Sequence, residues 1–344
     1  MISAENQHSG GAGSRPGIPP KVGVIVGGGT LTALAEDPFE ICDYGQAGSL
    51  TARQLIERCA AMRDRAFLVP LEFDPVPSFD VALPQWLALC QICEAALAAT
   101  PDLTAFVLTH GTGSLEETAF FLSRVWDLPV PLVVTGAQRP ASALGSDGYM
   151  NFHQAACVAA SAAARDFGVL VVMHGEIHLP AEVTKTSTLG LDSFRSPDLG
   201  PVGLVTGSAV SFGRSLPAAG PRVLADWRKL AGLPRVDILF CHSGGDTVAI
   251  EAFIAAKAAG IVLAGFAPGY ATSAQARRLE RWVRDEGGVV VAAARATGPV
   301  MRNSRNDGHG FLAAGRHSPQ KARLLVQIAL AAGLKPSQIA DLLR

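Results

Sequence analysis

Short runs of β-branched and aliphatic residues alternate with longer stretches whose apolar side chains recur at helical spacing, along nearly the whole chain. Such a chain has little choice of architecture. Strands separated by a helix return parallel to one another, and the helices cover the faces of the sheet they make. The predicted strands are Val22–Val26, Ala105–Leu108, Leu132–Thr135, Val169–Met173, Val202–Thr206, Asp237–Cys241, Ile261–Ala264 and Val289–Ala292. Helical spacing runs through Leu115–Trp126, Asn151–Ala164, Thr247–Ala259, Ser273–Glu286 and Ser318–Ala332, with Ser273 and Ser318 as expected N-caps. Between Gly213 and Arg235 the pattern is punctuated by Pro217, Gly220, Pro221, Gly232 and Pro234. The expected fold is therefore α/β in two domains. Residues 21–212 would form a larger N-terminal domain on a mixed, largely parallel sheet, 213–235 a linker, and 236–344 a smaller parallel C-terminal domain.

With 344 residues, 49 % of them hydrophobic, the chain can bury the cores of two domains. Its formal charge of −1 offers no basic surface for a nucleic-acid backbone or an anionic membrane, so the expected partner is a small molecule or protein. Residues 1–20 are polar and rich in Gly, Ser and Pro, with no basic segment leading into an apolar one. They read as a disordered tail and not a signal peptide, which places the protein in the cytoplasm. Cys42, Cys59, Cys90, Cys93, Cys157 and Cys241 stand among apolar neighbours and read as reduced core residues. Cys90 and Cys93 have CxxC spacing with no second pair, and His174 and His178 flank Glu176 after a strand without forming HExxH, so no metal is expected.

Two glycine-rich turns follow strands and end in threonines: Gly27-Gly28-Gly29-Thr30, and His110-Gly111-Thr112-Gly113-Ser114. Such turns let a ligand approach the backbone at the carboxyl end of a sheet, where open α/β sheets bind their ligands. Neither has the spacing of a phosphate or dinucleotide loop. Lys185, within Val183-Thr184-Lys185-Thr186, adds an amine to the two hydroxyls. Taken singly, a threonine after a strand is most often a helix cap and a lysine a solvated surface group.

The stretch from Val107 through Thr112 to Leu122 resembles the strand, turn and helix of the L-asparaginase family. Three further segments agree in the same order: Val134–Pro140 continuing to Gly148, Glu182–Thr186 with Phe194–Pro197, and Pro319–Arg323. The resemblance spans about Val22 to the C-terminus. It implies a larger N-terminal and a smaller C-terminal α/β domain, assembled as a homodimer or homotetramer whose active sites are completed by the neighbouring subunit. It also implies that Thr30 is the nucleophile, that Thr112 and Lys185 are the second threonine and its base, and that Tyr44 lies on the loop closing over the substrate. Physically, a threonine hydroxyl needs a base, a lysine serves as one only when burial or charge lowers its pKa, and a backbone N–H at Gly29 or Gly111 suits an oxyanion. Acyl transfer through a hydroxyl needs no cofactor.

The departures from the family concern the substrate's ammonium. Where the family has an aspartate after the second threonine this chain has Gly113, with Ser114 supplying only a neutral group. The family's Ser-Gln-Asp becomes Ser78-Phe79-Asp80, replacing a polar contact by an aromatic wall, and the asparagine and glutamate given by the neighbouring subunit fall near Tyr270 and Asn303. A desolvated ammonium without a carboxylate costs several kcal/mol, so the expected substrate lacks it. A dicarboxylic monoamide, an aromatic carboxamide, or a cyclic imide or lactam fits. The alternatives are an ordinary L-asparaginase, a hydrolase or lyase acting on an ester or lactone, and a non-catalytic binder of small acids. Asp80 is expected to cap the helix near Pro84, Glu116 and Glu117 to suit a helix N-terminus, His110 to pack under its turn, and His242–Asp246 to shape a subunit contact.

Overall fold

The computed structural model describes residues 19–62, 64–215 and 223–344. Residues 1–18 of the expected tail and 216–222 of the expected linker lie outside the described residues.

The longest apolar runs become the interior of a parallel sheet, as strands covered on both faces require. β1 (Lys21–Val26), β2 (Phe67–Leu71), β3 (Leu103–Thr109), β4 (Leu132–Thr135) and β5 (Val169–Met173) lie parallel in the order β2-β1-β3-β4-β5. The chain then reverses at His174 and Gly175, both at positive φ (52° and 79°), the geometry of a tight hairpin, into antiparallel β6 (Glu176–His178). A separate ribbon, β7 (Thr184–Lys185) with β8 (Phe194–Arg195), precedes β9 (Gly203–Thr206) and β10 (Ala209–Phe212), which finish the first sheet antiparallel. The second sheet is wholly parallel: β11 (Val236–Phe240), β12 (Gly260–Gly265), β13 (Val289–Ala294) and β14 (Leu312–Ala313).

Helices α1 (Ala52–Arg58), α2 (Leu83–Ala99), α3 (Leu115–Val125) and α4 (Gly148–Ala160) belong to the first sheet. The second carries α5 (Val248–Ala255), α6 (Ser273–Glu286), α7 (Ser304–Gly308), α8 (Pro319–Ala331) and α9 (Pro336–Leu342). α3 and α8 pack together where the two domains meet. Phe120 and Leu122 of α3 share one apolar core with Leu325 and Ile328 of α8, Val134 of the first sheet and Val262 of the second. On the other face of the first sheet, Phe152 and Val158 of α4 cover Val24, Val107 and Val133.

The two-domain α/β architecture agrees with the sequence; several local expectations do not. Thr272, not Ser273, caps α6: its hydroxyl accepts from Gln275 N (3.3 Å), and the Gln275 side chain accepts from Thr272 N (3.1 Å). Ser318 holds the N-cap position of α8 without a capping bond. Asp80 is exposed and caps nothing in α2, whose first turn is instead closed by Gln85 accepting from Ala82 N (3.1 Å). The helix expected at Asn151–Ala164 starts at Gly148 and gives way to a 3-10 turn after Ser161, and that expected to reach Ala259 ends at Ala255. Cys42 is exposed and Cys59 only partly covered, so neither is a core residue.

Candidate active site

β1 and β3 end side by side, Val26 opposite Thr109, and Gly27 N donates to Thr109 O (2.9 Å). Each strand runs straight into its glycine turn, and the turns touch backbone to backbone. A Cβ on Gly29 would fall 2.3 Å from Gly111 Cα, and Gly29 has φ +84°, so only glycine fits there. This contact sets Thr30 and Thr112 at the carboxyl edge of adjacent parallel strands. Both are buried, with 6 % and 8 % of their surface exposed.

Thr30 Oγ1 lies 2.7 Å from the Tyr44 hydroxyl. Tyr44 is carried by a loop whose ends are clasped to each other: Leu34 N donates to Gly48 O (2.9 Å), Gly45 N to Leu34 O (2.8 Å) and Leu50 N to Thr32 O (2.8 Å). The half-buried Tyr44 thus reaches inward from a largely exposed loop.

Lys185, on β7, donates to Thr112 Oγ1 (2.8 Å) and to Gln138 Oε1 (3.4 Å). Thr112 Oγ1 and Gln138 Oε1 are 3.5 Å apart, closing a triangle of two neutral oxygens and an amine. Burial holds the Lys185 amine below its ordinary 10.5, partly opposed by the negative charge of Glu116. Its surroundings are therefore those of a latent base. Lys185, with Thr184 and Thr186, lines a cavity of about 300 Å³ between the domains.

Ser78 leans over both glycines of the second turn: a Cβ on Gly111 would lie 2.7 Å from Ser78 Cβ, and one on Gly113 would lie 2.9 Å from Ser78 Oγ. Ser114 Oγ donates to Ser78 O and fixes this roof. Phe79, 83 % exposed, lines a surface depression together with Ser78, Gly113 and Ser114. Tyr270 and Asn303 make no hydrogen bond to Thr30 or Thr112 among the described residues, and helix α7 links the two. Asn303 caps α7, accepting from Asn306 N (3.0 Å), and Arg305 of that helix stacks over the Tyr270 ring at 4.9 Å.

His110 packs under its turn as expected, with Nδ1 2.8 Å from Gly111 O and Nε2 3.0 Å from Thr118 Oγ1, and burial lowers its pKa to about 4. Glu116 and Glu117 open α3, where negative charge suits the helix N-terminus, and Glu116 also lies 3.8 Å from the buried Lys321 of α8. Among the described residues no cluster of metal-ligating side chains occurs. No helix among them is long and apolar enough to cross a membrane.

The sequence reading missed Gln138, Ser193 and Asp147. Gln138 Nε2 donates to Ser193 Oγ, and the Asp147 carboxylate accepts from Gln138 N (3.0 Å) and Arg139 N (2.9 Å). The available signal was a polar residue in the turn after β4, the strand beside β3.

The fold and the grouping of Thr30, Thr112 and Lys185 define a two-domain α/β protein with hydroxyls and an amine at the ends of parallel strands, and comparison with known proteins gives its family. The family model described as "Asparaginase, N-terminal" matches residues 21–218, and the one described as "Glutaminase/Asparaginase C-terminal domain" matches residues 235–343. The "Probable L-asparaginase periplasmic" of Haemophilus influenzae is 33 % identical, covering 93 % of this chain and 91 % of its own. "L-asparaginase 2" of Escherichia coli is 30 % identical over 94 % of this chain and 92 % of its own. The crystal structure of a probable cytoplasmic L-asparaginase from Campylobacter jejuni is similar with a TM-score of 0.87 at 29 % identity, covering 94 % of this chain and 99 % of that one. The chain belongs to the asparaginase family of amidohydrolases.

Proposed function

We propose that this protein hydrolyses a carboxamide, or the C–N bond of a cyclic imide or lactam, using Thr30 as nucleophile on a substrate without the α-ammonium of asparagine. The observation that carries the reading is the pair of buried Thr112 and half-buried Lys185, 2.8 Å apart with the amine's pKa lowered, beside a Gly113 that offers no carboxylate. Thr30 Oγ bonds to the acyl carbon, and its proton passes through the hydroxyls to the nitrogen, which leaves as ammonia from an acyclic amide. Water, losing a proton to Lys185 through Thr112, then cleaves the ester, and the lysine returns that proton to the leaving oxygen so that Thr30 is restored as a hydroxyl and the base as a neutral amine. Backbone N–H groups at Gly29 and Gly111 are our candidates for holding the oxyanion.

Ser78 faces the substrate's acceptor group in this reading. Phe79 gives the substrate an aromatic wall beside Ser78 and Gly113, and Tyr270 and Asn303 act where a neighbouring subunit meets the site in a homodimer or homotetramer. We place the protein in the cytoplasm, because six unpaired cysteines, one of them exposed, suit a reducing compartment. No cofactor enters the scheme.

A second reading, an ordinary L-asparaginase, is favoured by the names of the relatives above. Ammonia release by wild type and Thr30→Ala separates the two, measured on L-asparagine, L-glutamine, succinamate, maleamate, an aromatic carboxamide and succinimide, with ring-opened product followed for the imide. We expect turnover of the compounds lacking an ammonium, abolished in the variant. Efficient turnover of L-asparagine would restore the second reading, and ligand binding that survives in both proteins without turnover would make the crevice a binding site only.

A further inference from the structure

We propose that Gln138 is the positioning residue for Lys185, its neutral side-chain carbonyl aiming the amine at Thr112 while leaving it able to lose its proton. The inference rests on reading Thr112 and Lys185 as the proton-transferring pair.

Position 113 has no side chain, and among the described residues the two hydrogen-bond acceptors of Lys185 Nζ are Thr112 Oγ1 and Gln138 Oε1. When the amine is neutral it has one lone pair and two N–H bonds. An N–H directed at Gln138 Oε1 turns the lone pair toward Thr112, from which the proton must come. Gln138 is itself held at both ends. Its Nε2 donates to Ser193 Oγ, which dictates that the carbonyl and not the amide nitrogen meets the lysine. Asp147 fixes its backbone N and is tied in turn to Asn151 Nδ2 (3.0 Å). Ser193 also belongs to the ribbon that carries Lys185, since Thr186 N and Thr186 Oγ1 both donate to Ser193 O (2.7 and 2.9 Å). Gln138 therefore follows the lysine's own support.

The charge of the acceptor matters because a carboxylate at this distance would hold the proton on the amine. Charged groups do face the lysine from other elements. Glu116 comes from α3, and Glu182, Asp198, Arg295, Arg316 and Lys321, with the neutral His317, line the cavity that Lys185 also lines. These set a mixed background, on which the two contacting oxygens are neutral.

The test is the titration of Lys185 itself, read by competitive acetylation of the whole protein across a pH series with mass spectrometry of the Lys185 peptide. It needs no substrate. Gln138→Glu should raise the titration of Lys185 by about one unit or more, and Gln138→Leu should lower it, since a neutral acceptor still favours the charged amine over no acceptor. Gln138→Leu should also lose about 100-fold in kcat with little change in KM. Ser193→Ala, which releases the amide, should move kcat the same way by a smaller factor and serves if Gln138→Leu does not fold. A Lys185 titration that is the same in wild type, Gln138→Glu and Gln138→Leu overturns the proposal. If the titration shifts but no amide or imide is turned over, Gln138 keeps its role and the hydrolytic reading of the site falls.

Discussion

An amine in water is almost wholly protonated at neutral pH, and burial, by penalising its charge, lowers the pKa of Lys185 below that of such an amine. For a base that must be neutral, activity rises as pH climbs through its pKa. The acid limb of kcat/KM should therefore lie below 10.5, and a limb at or above that value would remove Lys185 from the role of base. Gly113 is open to a second substitution experiment. A side chain there meets only Ser78 Oγ, at 2.9 Å, and a hydroxyl can rotate away at small cost. Gly113→Asp should fold and should shift the preference toward L-asparagine over succinamate by about 100-fold. Unchanged relative kcat/KM values for the two substrates would show that position 113 does not read the ammonium.

The strand ends behave differently from their side chains, because two backbones are in contact there. Gly29→Ala places a Cβ against Gly111 Cα at positive φ and should cost about 3 kcal/mol or more in urea unfolding. Gly48→Ala, with φ +97° and nothing within 4 Å, should cost only about 1 kcal/mol. Equal costs would mean that the turns are not pressed together. The same elements show what a sequence discloses. β1, β3, β4 and β5 were legible because a strand buried on both faces is an uninterrupted apolar run. The two-residue β7 was not, since Thr184 and Lys185 become a strand only by pairing with Arg195 and Phe194. Thr30 and Thr112 stood out as candidates by their glycine turns and family resemblance, and Lys185 by family resemblance. Gln138 offered only its polarity in the turn after β4: it stands 26 residues from Thr112 and 47 from Lys185, and the fold brings the three together.

The whole molecule carries an acid sensitivity that no single element explains. His110, His178 and His317 are each held neutral chiefly by burial, with pKa values lowered from 6.5 to about 4. The unfolded chain binds these protons and the folded one does not. Their contribution to stability is complete above pH 6.5 and is lost progressively as pH falls from there toward 4. At its steepest the loss approaches about 4 kcal/mol per pH unit for three protons. Urea midpoints measured through this window should fall accordingly, and a slope below one proton would contradict the burial of these rings. Glu116 adds a connection of another kind. It is the negative charge that opposes the loss of the Lys185 proton, and its close cationic neighbour is Lys321, 2 % exposed on a helix of the other domain. Domain docking and the ionisation of the site are therefore thermodynamically linked: a change that loosens α8 from α3 alters the fraction of amine available for chemistry without touching any residue of the crevice.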